Sequence, residues 1–477
     1  MTMAIPQHYK PKAGEGVMHR VPQGSTLVIG LGVSGRAICR HLERLGRSFV
    51  VADTRLSPPG VEEFRAVYPE VALYCGPLSA LNMDGAEEVV VSPGVDPGQP
   101  ALAALRERRR ANGEPLLVGE IALFVRAARA PIAAITGSNA KSTVTTLLGE
   151  MAREAGRQVA VGGNLGTPAL DLLAEMPNAE LYILELSSFQ LETTPFLGAA
   201  SAAFLNLSQD HLDRHGGMAG YREAKLAVFR GARHAVVNAE DAATWPLEAL
   251  PCIARFTTQP PQADEWGIAP RDGQDWLMHG DQAVVTTDTL GVAGRHNQAN
   301  VLAALAMGTQ LGFPLEAMSR ALHRFKGLPH RSETLAEIEG VVWINDSKGT
   351  NVGATLAAIA GIGPTLKGRL ILLAGGVGKG ADFTPLGEPM ARFGREAVVF
   401  GKDAPQLDAA LHGHIPVHHV ADLEAAVLRA RTIAEPGDCV LLSPACASLD
   451  QFPDYLARGE AFRQRVKRFA EEAGSGD

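Results

Sequence analysis

The sequence predicts an α/β protein of three domains, each built on a mostly parallel sheet. Three observations carry that prediction. A glycine-rich βαβ turn opens the chain, a strand–loop–Lys-Ser–helix unit opens its middle, and strand–helix alternation restarts after residue 328. The chain has 477 residues, too many for one hydrophobic core. The expected division is a flexible tail over 1–22, a Rossmann-like domain over 23–119, a central P-loop ATPase-like domain over 120–327, and a second Rossmann-like domain over 328–477.

Composition narrows the class. The chain is 46% hydrophobic and 20% charged, as globular proteins are. A net charge of −8 argues against a nucleic-acid partner held by electrostatics. The 5 cysteines are scattered without CxxC pairs, which fits a reducing cytoplasm better than a disulfide framework. No apolar run reaches the ~20 residues that cross a bilayer, so no membrane insertion is expected. The first residues lack the apolar core of a signal peptide.

In the first domain, Thr26 to Gly30 reads as a buried strand. Gly30-Leu31-Gly32-Val33-Ser34-Gly35 follows, then a helix through Leu45, then a strand from Ser48 to Ala52 ending in Asp53-Thr54-Arg55. A GxGxxG turn with an acidic residue at the next strand end is a dinucleotide fingerprint, yet the same geometry serves any phosphate-bearing nucleotide. Val71 to Tyr74, Glu88 to Ser92 and Pro100 to Asn112 continue the alternation, and Arg106 to Arg110 reads as a solvated helix face. Val118-Gly119-Glu120 reads as a boundary.

In the middle, the apolar run Ile132 to Ile135 stops at Thr136-Gly137, the loop Ser138-Asn139-Ala140 follows, and Lys141-Ser142-Thr143 opens a helix. Backbone N–H groups at such a helix N-terminus face an anion, lysine adds a point charge, and the hydroxyl suits Mg²⁺. The spacing is the short Gly-x-x-Gly-Lys-Ser/Thr form, with Ala140 where a second glycine is expected. A Cβ there costs ~1–2 kcal/mol if φ is positive and little otherwise; tolerance is expected, alanine being the smallest replacement. Strands are expected at Gln158 to Val161, Glu180 to Leu186 and Ala202 to Leu207. Residues 259–289 read as short antiparallel strands outside the main sheet, and Ala299 to Leu311 as a helix. Pro329 blocks helix continuation at the second boundary. The last strands are Val341 to Asn345, Arg369 to Leu373, Ala397 to Phe400 and Cys439 to Leu442.

The informative stretches, in order, are GLGVSG with DTR, GSNAKST, LELSSFQLE, NLSQDHLDRHG with YREAK, GRHNQAN, HRSE with NDSKGTN, GGVGKG, and SPACASLDQF. Together they resemble the Mur ligase family over nearly everything after the tail. LELSSFQLETT and SPACASLDQF resemble its D-glutamate-adding branch. The resemblance implies a cytoplasmic, monomeric, bacterial ATP-dependent amide ligase of peptidoglycan synthesis, with UDP-N-acetylmuramoyl-L-alanine and D-glutamate as partners. It also implies two Mg²⁺ ions, or Mn²⁺ in their place, and a CO₂-derived carbamate on Lys225.

The resemblance distributes roles as well. Gly32, Val33, Ser34 and Gly35 would approach the UDP diphosphate, and Thr54 and Arg55 would read the uracil. Gly137, Ser138, Asn139, Ala140, Lys141, Ser142 and Thr143 would hold the ATP phosphates, with Asn297, Asn300, Arg331 and Asp346 framing the rest. Ser142 and Glu185 would share one Mg²⁺. His211 and carbamylated Lys225 complete the metal set, the carbamate replacing a cation by an oxygen ligand that Mg²⁺ favours. Asn164 and His211 would contact the UDP substrate. Asp210, Lys348, Thr350, Lys379, Ser448, Leu449 and Tyr455 would meet phosphate or glutamate. Lys141, His211, Lys225 and Lys348 would be the catalytic residues. Tyr455 stands where the family has Phe, and Gly349 where it has Ala.

Taken singly, these residues have plainer readings. Glu185 at an apolar strand end suits an ordinary ion pair, His211 a surface or core position, Lys225 a solvated helix face, and Thr54-Arg55 a strand-end turn. Two other functions fit parts of the chain. A folate polyglutamate-type ligase shares the P-loop but lacks the DTR and SPACASLDQF stretches. A nicotinamide oxidoreductase would use the first βαβ unit and leave the P-loop unexplained. The residues leave the configuration of glutamate open.

Overall fold

The computed structural model describes residues 19–292 and 294–474. Most of the expected tail lies outside those residues, but 19–22 belong to the fold. His19–Arg20 pairs in parallel with Leu81–Asn82, and Val21 is buried.

Three sheets organise the chain. The first has five parallel strands in the order Leu73–Cys75, Phe49–Asp53, Ser25–Ile29, Ala86–Val91, Leu117–Gly119. The parallel core of the second runs Val159–Gly163, Leu181–Glu185, Ile132–Thr136, Ser201–Phe204, His234–Asn238, Cys252–Phe256. The third runs Glu333–Ile338, Val341–Asn345, Cys439–Leu442, Leu370–Gly375, Gly394–Phe400, Val417–His419, and only its first pair is antiparallel. The inner strands are largely apolar because helices cover both faces. Parallel crossovers bring the loops after the strands to one edge of each sheet, where ligand sites form.

Several expectations need correction. The antiparallel strands Glu265–Arg271, Gln274–His279 and Gln282–Thr286 do not stand apart. They extend the central sheet to nine strands through the Arg255–Glu265 and Phe256–Trp266 pairings. Burial explains this, since Trp266, Ile268, Leu277 and Val285 join the core under the helix Arg295–Gln310. The edge strands Glu333–Ile338 and Val417–His419 escaped notice because they are short and half-exposed, with no apolar run. The arginine run is solvated over 106–109 but is not a helix face. Its helix ends at Arg106, and Arg110 turns back to Glu88, a fully buried carboxylate also held by Arg47 and Arg126.

Candidate active site

The loop after Ile132–Thr136 is flanked by the ends of Leu181–Glu185 and Ser201–Phe204, the strands paired on either side. Glu185 therefore arrives beside the P-loop by register, opposite Ile135. The loop is also tied from the side. Asn139 N donates to Asn206 Oδ1 at 2.8 Å, and Ser138 Oγ donates to Ser208 O at 3.0 Å. Lys141 Nζ donates to Gly137 O and Ser138 O, each at 2.9 Å. Ala140 caps the helix Lys141–Glu154 at φ +67° and ψ −9°. The costly alternative thus holds: the position is left-handed, and alanine carries the Cβ penalty there.

Ser142 Oγ donates to Glu185, Asn164 Nδ2 donates to Glu185 Oε1 at 2.7 Å, and Arg331 Nη2 donates to Ser142 Oγ at 2.6 Å. Burial alone would raise the Glu185 pKa. The Lys141 charge and the two side-chain hydrogen bonds outweigh it and hold the carboxylate ionised. Serine hydroxyl and carboxylate oxygen form a hard donor pair that fits Mg²⁺. Among the described residues, no group of three or more His, Cys, Asp or Glu side chains is preassembled as a metal site.

Lys225 is not solvated. It is 1% exposed, and its Nζ donates to Gly137 O at 2.7 Å and lies 4.7 Å from the Tyr221 ring centroid. Burial, and then the charge of Lys141, push its pKa well below the ordinary lysine value. His211 lies beside Asp210, with Nε2 to Oδ2 at 3.6 Å, and packs on Phe189. Burial lowers its pKa despite Asp210, which favours the neutral imidazole.

The third sheet supplies the opposite wall. Asp346 accepts from Ser443 Oγ at 2.7 Å and Ser332 N at 3.0 Å, and burial pushes its pKa up to about 6. Lys348 Nζ lies 4.1 Å from the centre of the Tyr455 ring, and burial, with Arg331 and Lys141 nearby, pushes it down to about 8. Thr350 N donates to Lys348 O. Lys379 reaches Asp210 at 3.3 Å, and Asn351 Nδ2 donates to Asn139 Oδ1 at 3.1 Å. Ser448 is buried, whereas Leu449 is 69% exposed.

One cleft between these walls has a volume of about 230 Å³. Asn139, Ala140, Thr143, Asn297, Asn300, Arg331, Asp346 and Lys348 all line it. Phe256 and Asn238 line it too and went unread in the sequence, because only tertiary packing brings them there; His296 also lines it and was legible within GRHNQAN without an assigned role. Asn351 was legible within NDSKGTN but carried no assigned role.

The first-sheet residues form a separate group. Gly32 caps the helix Val33–Arg44, and a Cβ on Gly35 would lie 1.8 Å from Gly30 O, so helix and strand require glycine there. Behind them lies Glu120, a buried carboxyl given no role in the sequence, whose Oε1 accepts from Leu170 N at 3.3 Å. Asp53 accepts from Leu31 N at 2.7 Å and from the Arg55 backbone and guanidinium. A carboxylate so engaged is not free for ribose hydroxyls, which counts against a nicotinamide cofactor. Thr54 is exposed at that strand end.

Fold and site together define a P-loop enzyme whose nucleotide-binding sheet is joined to a second α/β lobe across a polar cleft. Three family descriptions match in succession: Mur ligase MurD-like N-terminal domain over 24–111, Mur ligase middle domain over 135–308, and Mur ligase glutamate ligase domain over 330–446. The UDP-N-acetylmuramoylalanine–D-glutamate ligase of Chromohalobacter salexigens is 66% identical over 456 residues, covering 96% of this chain and 100% of the relative. The ligase of the same name from Pseudomonas aeruginosa is 50% identical over 446 residues, covering 93% and 98%. The chain belongs to the Mur ligase family, and it is a ligase. Among solved structures, MurF ligase from Thermotoga maritima in complex with ADP shares the fold with a TM-score of 0.59 at 16% identity, covering 97% of this chain and 99% of that one. UDP-N-acetylmuramate-alanine ligase MurC from the same organism gives 0.56 at 17%, covering 93% and 99%. No helix among the described residues is long and apolar enough to cross a membrane.

Proposed function

We propose that this chain joins D-glutamate to UDP-N-acetylmuramoyl-L-alanine in peptidoglycan synthesis, converting ATP to ADP and phosphate. The observation that carries the reading is the meeting of Lys141, the Ser142–Glu185 pair and Arg331 at the P-loop, beside the cleft that Arg331 lines. The relatives' printed activity supplies the substrates. The lobes divide the work at about residues 119 and 327. The first takes the UDP end through Gly32 to Gly35, Thr54 and Arg55. The cleft between the second and third takes ATP.

The alanyl carboxylate attacks the γ-phosphorus, the bond to ADP breaks, and an acyl phosphate forms. The glutamate amine then attacks the activated carbonyl, and a tetrahedral intermediate collapses to the amide as phosphate leaves. Lys141 and Arg331 offset charge on the transferring phosphoryl group, because positioning and electrostatics carry such transfers. Mg²⁺ bound at Ser142 and Glu185 would neutralise phosphate charge. His211 and Lys225 would hold the second ion. Lys225 adds to CO₂ through Nζ in its unprotonated form, which burial favours; an N–C bond forms, a proton leaves, and an anionic carbamate results. Asn164 orients Glu185 and the reacting carboxylate. Asp210, Lys348, Thr350, Lys379, Ser448, Leu449 and Tyr455 receive glutamate and phosphate. Closure of the third lobe excludes water, which would hydrolyse the acyl phosphate.

The test is phosphate release with UDP-N-acetylmuramoyl-L-alanine and ATP, with D- and L-glutamate in separate reactions. Release with D-glutamate alone is expected. Release with neither, or with L-glutamate preferred, overturns the reading.

A further inference from the structure

Arg458 is the largest fully buried side chain of the described residues, and the reading above leaves it without a role. It lies in the first turns of the helix Tyr455–Gly474. Among the described residues it makes no ion pair; its hydrogen-bond partners are neutral. Nε donates to Ser347 Oγ at 3.1 Å and Nη2 to Ser347 O at 2.8 Å. Nη1 donates to Cys446 O at 3.1 Å and to Gly375 O at 3.3 Å. Burial lowers its pKa only to about 10, so the group stays charged at neutral pH.

A buried cation hydrogen-bonded only to carbonyls and a hydroxyl, with the Asp450 and Asp346 carboxylates acting on it from beyond ion-pair distance, is an expensive way to fill a core. An apolar side chain would pack the space without that cost. What only a guanidinium supplies is a rigid planar fork that reaches several acceptors at once.

Those acceptors have a common character. Ser347, Gly375 and Cys446 lie at or just beyond the ends of three adjacent strands, Val341–Asn345, Leu370–Gly375 and Cys439–Leu442. Each belongs to a loop carrying residues assigned above to glutamate and phosphate: Lys348 and Thr350 follow Ser347, Lys379 follows Gly375, and Ser448 follows Cys446. The second and third loops also pair directly, Val377 with Ala447. The first loop is joined to them through the guanidinium and through the Ser443–Asp346 hydrogen bond, and only the guanidinium reaches all three. Ser347 Oγ further donates to the carbonyl of Tyr455, whose ring lies under Lys348.

We infer that Arg458 is a positioning residue: its guanidinium clamps the three strand-end loops into the one arrangement that receives the incoming amino acid. The inference rests on the glutamate assignment proposed above. It predicts a loss confined to the amino-acid half of the reaction. Arg458→Lys keeps the charge and most of the volume but removes the fork.

The experiment compares wild type, Arg458→Lys and the milder Ser347→Ala as full-length enzymes. Steady-state KM is measured for D-glutamate, ATP and the UDP substrate, and ADP formation without glutamate is followed in a single turnover. For Arg458→Lys, KM for D-glutamate should rise about ten-fold or more, while the other two KM values and the single-turnover rate stay within about three-fold. Ser347→Ala should raise the glutamate KM by about two- to five-fold and provides the decision if Arg458→Lys does not fold. All three KM values moving together, or an unchanged glutamate KM in the folded variants, overturns the clamp alone. A wild type that makes no amide from D-glutamate overturns the parent reading and this one with it.

Discussion

Lys225 Nζ lies 2.7 Å from the carbonyl oxygen of Gly137, so the buried lysine of one helix is bonded directly to the first residue of the P-loop. The contact ties two motifs 88 residues apart in sequence into one electrostatic unit. Lys225, Lys141 and Glu185 influence one another's charge within it. A neutral amine is the form that reacts with CO₂, and burial favours it.

Carbamylation of Lys225 is therefore expected, and ¹³C-bicarbonate labelling should show it. Wild type should give a protein-bound carbamate ¹³C resonance, and Lys225→Arg should give none. Activity of Lys225→Arg should fall by about 100-fold or more, as loss of a transition-state electrostatic group does. A labelled resonance that persists in Lys225→Arg would show that the carbamate lies elsewhere.

Lys141→Ala should abolish turnover while leaving affinity for the UDP substrate within about two-fold. Lys141 opens a helix of the central domain, whereas Gly32 caps, and Val33 to Gly35 open, a helix of the first. Calorimetry on the variant measures this directly. Loss of UDP-substrate binding would contradict the assignment of the two ligands to separate sheets.

Ala140→Gly should stabilise the protein. The residue sits at φ +67°, where a Cβ is unfavourable and glycine is not. Relief of ~1–2 kcal/mol is partly offset by the greater freedom of glycine in the unfolded chain, leaving a gain of ~0.5–1 kcal/mol. Denaturant unfolding should show a higher midpoint with an unchanged slope.

Asp346 has its carboxyl pushed up to about 6 by burial, against an unperturbed value of 3.8. The folded chain then holds that proton more tightly than the unfolded one. The resulting stability is complete below about pH 4 and is lost as pH rises through about 6. Asp346→Asn keeps hydrogen-bonding capacity toward Ser332 and Ser443 without a buried charge. It should raise stability at pH 7 by ~1–3 kcal/mol and flatten the pH dependence between those limits, while impairing use of ATP. Unfolding midpoints at pH 4 and pH 7 check it; an equal shift at both would assign the effect to packing.

Much of this molecule was legible in one dimension. Apolar runs ending at Gly30, Thr136 and Asn345 announced parallel strands, because a strand covered on both faces has no polar side to show. The P-loop followed from local spacing, since a helix N-terminus and its lysine are neighbours in the chain. Even Glu185 could be singled out, because a carboxylate ending an apolar strand requires a partner.

Tertiary structure decided the rest. Whether Ala140 is strained depended on a backbone angle that the letter Ala leaves open. Whether Lys225 is solvated depended on the strand end and the Tyr221 ring packed around it. Arg458 gave no signal at all, since an arginine in a polar helix ordinarily faces water. Periodicity and motif spacing record what neighbours along the chain do, and they determined the inner strands of the three sheets and the phosphate loop. Burial, and with it the charge and reach of a side chain, is set by segments distant in sequence, and only folding brings those together.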